Sequence, residues 1–388
     1  MFEKKQAIKK NLTEIEDDLF ALVKKMKENP ELGFEEHKAS QWLTDFLESV
    51  GFKVERGIAD LPTAFRATYD TGVEGPNVAF LCEYDALPVI GHGCGHNMIG
   101  PMSIGGAVSL SKTEGIRGKI TVLGCPAEET GGAKVLLVKN GVFEDIDVAM
   151  MVHPATVNGV YSTSFAIDAI EFTYHGKTSH AASAPELGIN ALDSVIHLFN
   201  GINALRQHLK DEVRIHGIIS KGGDAANVVP ELAQARFYFR AAEREYLDEM
   251  VEKIYKVAEG AALMTGASVE WQNYELSNDD LRPNKTLSEL FKKSYQEIGV
   301  TDIKPPYKGK GSTDMGDVSH VVPAIHPYVA IGDEGAFNPH SREQADATVS
   351  PRGKKAMFNA ALAMGLTGYE ILTDSAVYDE IIKEFKNR

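Results

Sequence analysis

Cysteine is scarce in this chain: three residues in 388, Cys82, Cys94 and Cys125, with no CxxC pair and no even set to build a disulfide framework. That excludes a disulfide-stapled secreted scaffold and fits a reducing compartment. Long apolar runs are missing as well. No stretch approaches the ~20 residues needed to span a bilayer. The opening segment MFEKKQAIKKNLTEIEDDLFALVKKMKENPELGF is charged and amphipathic, without the apolar centre of a signal peptide. Positive charge is in deficit: 40 Lys+Arg stand against 55 Asp+Glu, a net of −15. Such a balance argues against nucleic acid and anionic membrane as partners and says little about a small substrate, whose pocket can oppose the global sign. The expectation is a soluble cytoplasmic protein.

What is present is the composition of a folded protein, 43% hydrophobic and 24% charged. The length points to two domains. Residues 12–50 read as helices interrupted at Pro30–Gly33. Then β and α signals alternate: NVAFLCEY (77–84), KITVLGCP (119–126) and DVAMMVHP (147–154) read as buried strands, and 101–113 and 133–143 as the helices between them. The series predicts a three-layer α/β domain with a mostly parallel sheet. In the middle, the alternating strand FAIDAIEFTYHG, a long helix over 188–209, two further strands, a second helix and ASVEWQNYEL form a small α+β unit. The tail from about 283 returns to helix and strand and ends in a helix at 351–373. The expected arrangement is therefore 1–168 with 283–388 as one domain and 169–282 as a smaller inserted one.

The polar residues concentrate where the strands stop. Asp85 and the run GHGCGHN follow the first strand, Glu128 and Glu129 the second, and His153 closes the third. In parallel α/β sheets, sites form just beyond the carboxyl ends of strands. His92, Cys94 and His96, spaced by glycines, mix thiolate and imidazole, the ligand types that suit zinc and related ions. Glu128 and Glu129 offer one carboxylate as ligand and one as base. Taken singly, each has a plainer reading: a buried structural cysteine, an acidic pair at a helix start, a lone histidine satisfied within the fold. His340, in FNPHSREQAD after the strand HPYVAIG, has the same plain reading. Three consecutive strand ends carrying metal-capable groups are more specific than any one of them. His175, His197, His208, His216, His320 and His326 read as structural or surface residues.

The blocks ENPELGFEE (28–36), EYDALPVIGHGCGHN (83–97), PAEETGGAK (126–134), HGKTSHAASAPELGINALDS (175–194), GGDAANVVPE (222–231) and GSTDMGDVSHVVPAIHP (311–327) together resemble the M20 metallopeptidases. The likeness is to the amidohydrolase branch, and within it to p-aminobenzoyl-glutamate hydrolase B-subunit-like proteins and M20-domain dipeptidases. The blocks keep their order over most of the chain.

The resemblance implies a metallopeptidase catalytic domain with an inserted lid that dimerises. It implies two divalent ions, Zn or Mn, ligated by Cys94, His96, Glu129, His153 and His340. Glu128 would be the general base and Asp85 would support the ligands from behind. His180 of the lid would polarise the scissile carbonyl, often across a homodimer, and Asn227 would lie near the substrate. Arg240 matches an Arg often present in the family. Asn97 stands where many amidohydrolases have Asp, a feature the named subgroup shares, and Lys27 and Glu28 stand where the first motif often has His. His92 would support a ligand; Cys82 and Cys125 would be structural. The implied reaction is hydrolysis of an amide in an N-acyl amino acid, a p-aminobenzoyl-glutamate-like compound or a small dipeptide. The alternatives are a non-catalytic binding protein of the same fold and a metal-dependent aminopeptidase.

Overall fold

The structure, a computed structural model, describes residues 2–309 and 311–388, without the side chain of Phe2. The chain divides into two compact units. The larger takes the chain up to Thr163, then Leu281–Gly309 and Asp314–Arg388; the smaller takes Ser164–Asp280 and a short stretch ending at Thr313. The seams differ from the expected 168/169 and 282/283 for a local reason. Ala166 opens one uninterrupted strand, Ala166–His175, and already belongs to the smaller core, whereas Leu281 belongs to the larger. The stretch ending at Thr313 was expected with the larger unit, but its backbone and side chains bond the smaller one: Gly311 O accepts from Phe165 N–H, and Ser312 Oγ accepts from Arg240 Nη1.

The larger unit is built on a six-stranded sheet in the order Lys53–Arg56, Phe65–Asp70, Lys119–Gly124, Asn77–Cys82, Val148–Met150, Ala324–Ile325. The last four run parallel and the first two are antiparallel additions at one edge. Asn77–Cys82 lies inside the sheet and is buried at every position, as its continuous apolar run requires. Against the sheet lies the helix His96–Ser111, whose residues are all buried, with the helices Phe2–Glu28 and Pro351–Thr373 packed over it. Its small residues permit that closeness: a Cβ on Gly105 would stand 2.9 Å from both Ala361 Cβ and Leu19 Cδ1. Among the described residues no helix is long and apolar enough to cross a membrane.

Some elements depart from the sequence reading. The helix expected from Pro101 begins at His96, because left-handed Gly95 (φ 87°) turns the chain into it five residues earlier. The third strand breaks at Met150, and His153–Ala155 pairs with Tyr328–Ala330 in a separate small sheet. After the helix Pro351–Thr373 comes a further helix, Ser375–Lys386, capped by Asp374.

The smaller unit is an antiparallel four-stranded sheet, Arg214–Lys221, Leu232–Ala241, Ala166–His175, Ser268–Asn273, packed with the helices Ala191–Leu205 and Arg244–Thr265. Ala166–His175 was expected to alternate between core and solvent but is buried up to Tyr174, because Asp168 and Glu171 are covered by their partners Arg244 and Arg236.

One buried carboxylate fixes the turn that ends the strand Lys119–Gly124. Glu36 accepts the Ala127 N–H at 2.8 Å and the Thr63 hydroxyl at 2.9 Å. Ala127 itself is held at φ 54°, a strained value for a residue with a Cβ. Burial, with the charge of Asp85 adding to it, pushes the Glu36 carboxyl up to about 7. The folded chain therefore keeps a proton that the unfolded chain releases between about pH 4.5 and pH 7. Stability from this group is complete below that window and is lost as pH rises through it. In Glu36→Gln the loss should disappear. The unfolding free energy of wild type relative to the variant should fall by on the order of 1–3 kcal/mol from about pH 5 to about pH 8, read from urea midpoints. Parallel pH profiles would contradict this.

Candidate metal centre

Four segments of the larger unit converge beyond the parallel strands. Asp85 follows Asn77–Cys82; Cys94 and His96 flank Gly95 at the start of the buried helix; Glu128 and Glu129 follow Lys119–Gly124; His153 opens the strand beside Tyr328–Ala330. Gly95 is needed twice over. Its φ is left-handed, and a Cβ there would stand 2.5 Å from Pro154 Cγ, so any other residue would push Cys94 and His96 away from His153. Gln344 Nε2 donates to Cys94 O at 2.8 Å and Pro154 O at 3.4 Å, tying the same two segments together. His340, at φ 59°, reaches in from a more open position, its side chain 52% exposed.

Asp85 organises the group. Its Oδ1 lies 2.7 Å from His96 Nδ1 and its Oδ2 accepts the Glu129 N–H at 2.9 Å. The Nε2 of His96 is thereby turned inward, the usual service of a carboxylate behind a metal-ligating histidine. His153 is oriented alike, its Nδ1 2.8 Å from Pro154 O and its Nε2 3.4 Å from Cys94 Sγ. Burial, helped by nearby His326 and His96, lowers His153 to about 3, so its ring is neutral with a lone pair facing the thiol. Glu129 Oε2 lies 3.5 Å from His340 Nε2, and Glu129 Oε1 lies 3.8 Å from His96 Nε2.

These residues fit a bound cation. Cys94, His96 and His153 form one trio of donor atoms mutually within 4.8 Å, and Cys94, Glu129 and His340 form another, so the thiol belongs to both. His96 Nε2 and Glu129 Oε1 are buried without a hydrogen-bond partner among the described residues. Such atoms are rare in folded proteins unless an ion or water satisfies them. Thiolate, imidazole and carboxylate are a donor set for zinc and its neighbours. Glu128 joins His96 and Glu129 in a third trio. Burial, then the charges of Glu83 and Asp314, push its carboxyl well above the ordinary range.

A buried charge network behind this group was not foreseen from sequence. Lys134 Nζ, fully buried, lies 2.6 Å from Glu83 Oε1 and 2.5 Å from Asp314 Oδ1, and its backbone N–H donates to Asp314 Oδ2 at 3.0 Å. Burial opposes the ammonium charge, but Asp314 and Glu83 outweigh it and hold Lys134 charged. Glu83 had one available signal: it precedes Asp85 by two residues, the spacing that puts side chains on one face of an extended segment. Lys134 and Asp314 gave none. His326, read as structural, lies with its ring centroid 5.5 Å from that of His153 at a tilt of 36°, and Tyr328 lies 5.7 Å from it. His92 is buried with Nδ1 unpartnered among the described residues, and burial lowers it to about 4.

The remaining three sequence-derived residues belong to the smaller unit. His180 is exposed, and its Nδ1 accepts from Ala182 N–H at 3.2 Å and Ser183 N–H at 3.1 Å. It pairs with Val228 through a β-bridge, and Ala181 N–H donates to Asn227 O, so His180 and Asn227 share one loop cluster. Arg240 stands apart, on Leu232–Ala241, over the Tyr238 ring and bonded to Ser312.

The family profile for the M20 peptidase dimerisation domain matches residues 163–263, most of the smaller unit. The Xaa-Arg dipeptidase of Mus musculus is 37% identical over 399 residues, covering 98% of this chain and 92% of that one. The B-subunit of the p-aminobenzoyl-glutamate hydrolase of Escherichia coli is 33% identical, over 76% of this chain and 64% of that one. Among solved structures, the Bacillus subtilis YXEP protein, described as a dinuclear metal binding peptidase from the M20 family, has a similar fold. It superposes with a TM-score of 0.68 at 19% identity, covering 92% of this chain and 99% of that one. The chain belongs to the M20 peptidase family.

Proposed function

We propose that this enzyme hydrolyses the amide bond of a small dipeptide or a related N-acyl amino acid, p-aminobenzoyl-glutamate-like compounds included. The observation that carries the reading is the convergence of Cys94, His96, Glu129, His153 and His340 in overlapping donor trios with Glu128 beside them. A dipeptide is favoured over other amides because the similarity to the Xaa-Arg dipeptidase runs along nearly the whole of both chains.

In this reading the five residues hold two divalent ions, zinc or manganese. Bound there, the ions would supply Lewis acidity for a water and for the scissile carbonyl. Glu128 takes a proton from the attacking water and returns it to the leaving nitrogen. Asp85 keeps His96 and Glu129 in register for the ions. The family resemblance would give His180 and Asn227 a part in stabilising the oxyanion and Arg240 a part in binding the substrate.

The smaller unit serves as the surface of a homodimer. Two findings support this: the dimerisation-domain profile covers it, and its edge strand Arg214–Lys221 exposes Ile218 and Ile219. An open apolar edge is a ready place for a second copy.

Glu128→Gln should retain both ions, measured by metal analysis after dialysis, while kcat falls by about 10²–10⁴-fold. Retained turnover would remove Glu128 as the base. Cys94→Ala should instead lose metal. A dipeptide panel supplied to chelator-stripped and Mn²⁺- or Zn²⁺-reloaded enzyme tests the reaction, and a requirement for a free α-amine would favour an aminopeptidase. Ile218→Asp should shift the wild-type dimer to monomer in light scattering; a wild-type monomer would refute the assembly.

A further inference from the structure

Five residues account for the centre proposed above, yet the structure leaves a sixth group facing it. Glu83 is 1% exposed, and its two carboxylate oxygens have different surroundings. Oε1 is taken by the Lys134 ammonium at 2.6 Å. Oε2 has no hydrogen-bond partner among the described residues and lies 3.4 Å from His96 Nε2, itself unpartnered. Two buried donors thus face each other across a gap that neither fills.

The spacing identifies what the gap suits. Two ligands each ~2.0–2.1 Å from one zinc at the tetrahedral angle stand about 3.3 Å apart. Glu83 Oε2 and His96 Nε2 stand 3.4 Å apart. Cys94 Sγ and His153 Nε2, in a trio already assigned to the ions, show the same spacing of 3.4 Å. The orientation of the imidazole agrees. Asp85 takes Nδ1, so Nε2 points toward Glu83, which sits two residues before Asp85 on the same face of the chain.

Charge leads to the same place. Glu83, Glu128 and Asp314 bring carboxylate oxygens within 4.8 Å of one another, and among the described residues Lys134 is the buried ammonium bonded to two of them. One fixed cation among three carboxylates leaves room for the charge of an ion on the His96 side.

We infer that Glu83 is an additional ligand of the metal centre, presenting Oε2 beside His96 while Lys134 anchors Oε1. Lys134 is then a positioning residue: the ammonium holds Glu83 to one-oxygen binding and sets where that oxygen points. The inference rests on the metal-centre reading above and adds a ligand to it.

Cobalt tests it, because its visible bands report coordination as well as occupancy. Stripped wild type, Glu83→Gln and Asp314→Asn would each be titrated with Co²⁺ alone, with calorimetry, visible spectra and thermal midpoints recorded with and without the ion. In Glu83→Gln the affinity for one of the two ions should fall by about 10–100-fold. Its bands should change in intensity and position, and the rise in midpoint on adding Co²⁺ should shrink. Asp314→Asn removes the same unit of charge without touching His96 and should leave the bands as in wild type. Wild-type affinity and bands in Glu83→Gln would overturn the inference, as would equal changes in both variants, which would reduce Glu83 to a background charge. Should Glu83→Gln fail to fold without the ion, Glu83→Asp decides: unaltered bands in it overturn the inference, and altered bands support it. Wild type that binds no Co²⁺ would instead overturn the metal centre itself.

Discussion

The buried Lys134 ammonium ties together the end of the larger unit that carries the candidate metal centre. Lys134 joins the end of the central strand, through Glu83, to a segment far along the chain, through Asp314, and its own backbone N–H joins the same bond set. Removing one member of such a network leaves an uncompensated charge in the interior and costs about 3–5 kcal/mol, whereas replacing the whole network with apolar groups is often neutral. Stability alone therefore gives little reason to keep it. Its value lies in what it aligns: the helix Ala133–Lys139 and the Glu83 carboxylate are both held to Asp314 through one side chain.

Asp85 performs the complementary task. One carboxylate orients the His96 ring with one oxygen and pins the Glu129 backbone with the other, so two donors move as one body. Glu36 does the same for the residue before Glu128, holding Ala127 in a strained conformation that a buried hydrogen bond maintains. Backbone strain, unpartnered polar atoms and displaced pKa values all gather here, which is where a fold gives up local comfort for chemistry. The neutral His153, its lone pair facing the thiol, belongs to the same pattern.

Much of this was legible in the amino-acid sequence. The parallel sheet could be read from strands with no polar interruption, and the site from metal-capable residues placed at three consecutive strand ends. The inserted unit could be read from its change in patterning, with seams a few residues off, since a β-strand such as Ala166–His175 can start in one core without a break in composition. What stayed hidden has physical reasons. Lysine is almost never fully buried, so Lys134 reads as an ordinary residue at a helix start. Its partner Asp314 lies 180 residues away, and no local pattern encodes that pairing. Pro101 reads as a first helical residue, which hides the turn of helix before it that carries His96. Asp168 and Glu171 give their strand the look of a half-solvated one, because the arginines that cover them come from other elements.

The insertion of one unit within the other also sets an order of events in time. The donors are split along the chain: Cys94, His96, Glu129 and His153 precede the smaller unit, whereas His340 follows it. During synthesis the smaller unit, nearly one continuous segment, can emerge and fold while the larger still lacks the strand Ala324–Ile325 and the helix Pro351–Thr373 that complete its sheet and core. At ribosomal rates, on the order of ten seconds or more separates His153 from His340. Over that interval the nascent chain holds a thiol and imidazoles without the full set that would discriminate among ions. With the proposed ligand set, metal selection would be a late event in the life of this chain, made by a nearly finished fold.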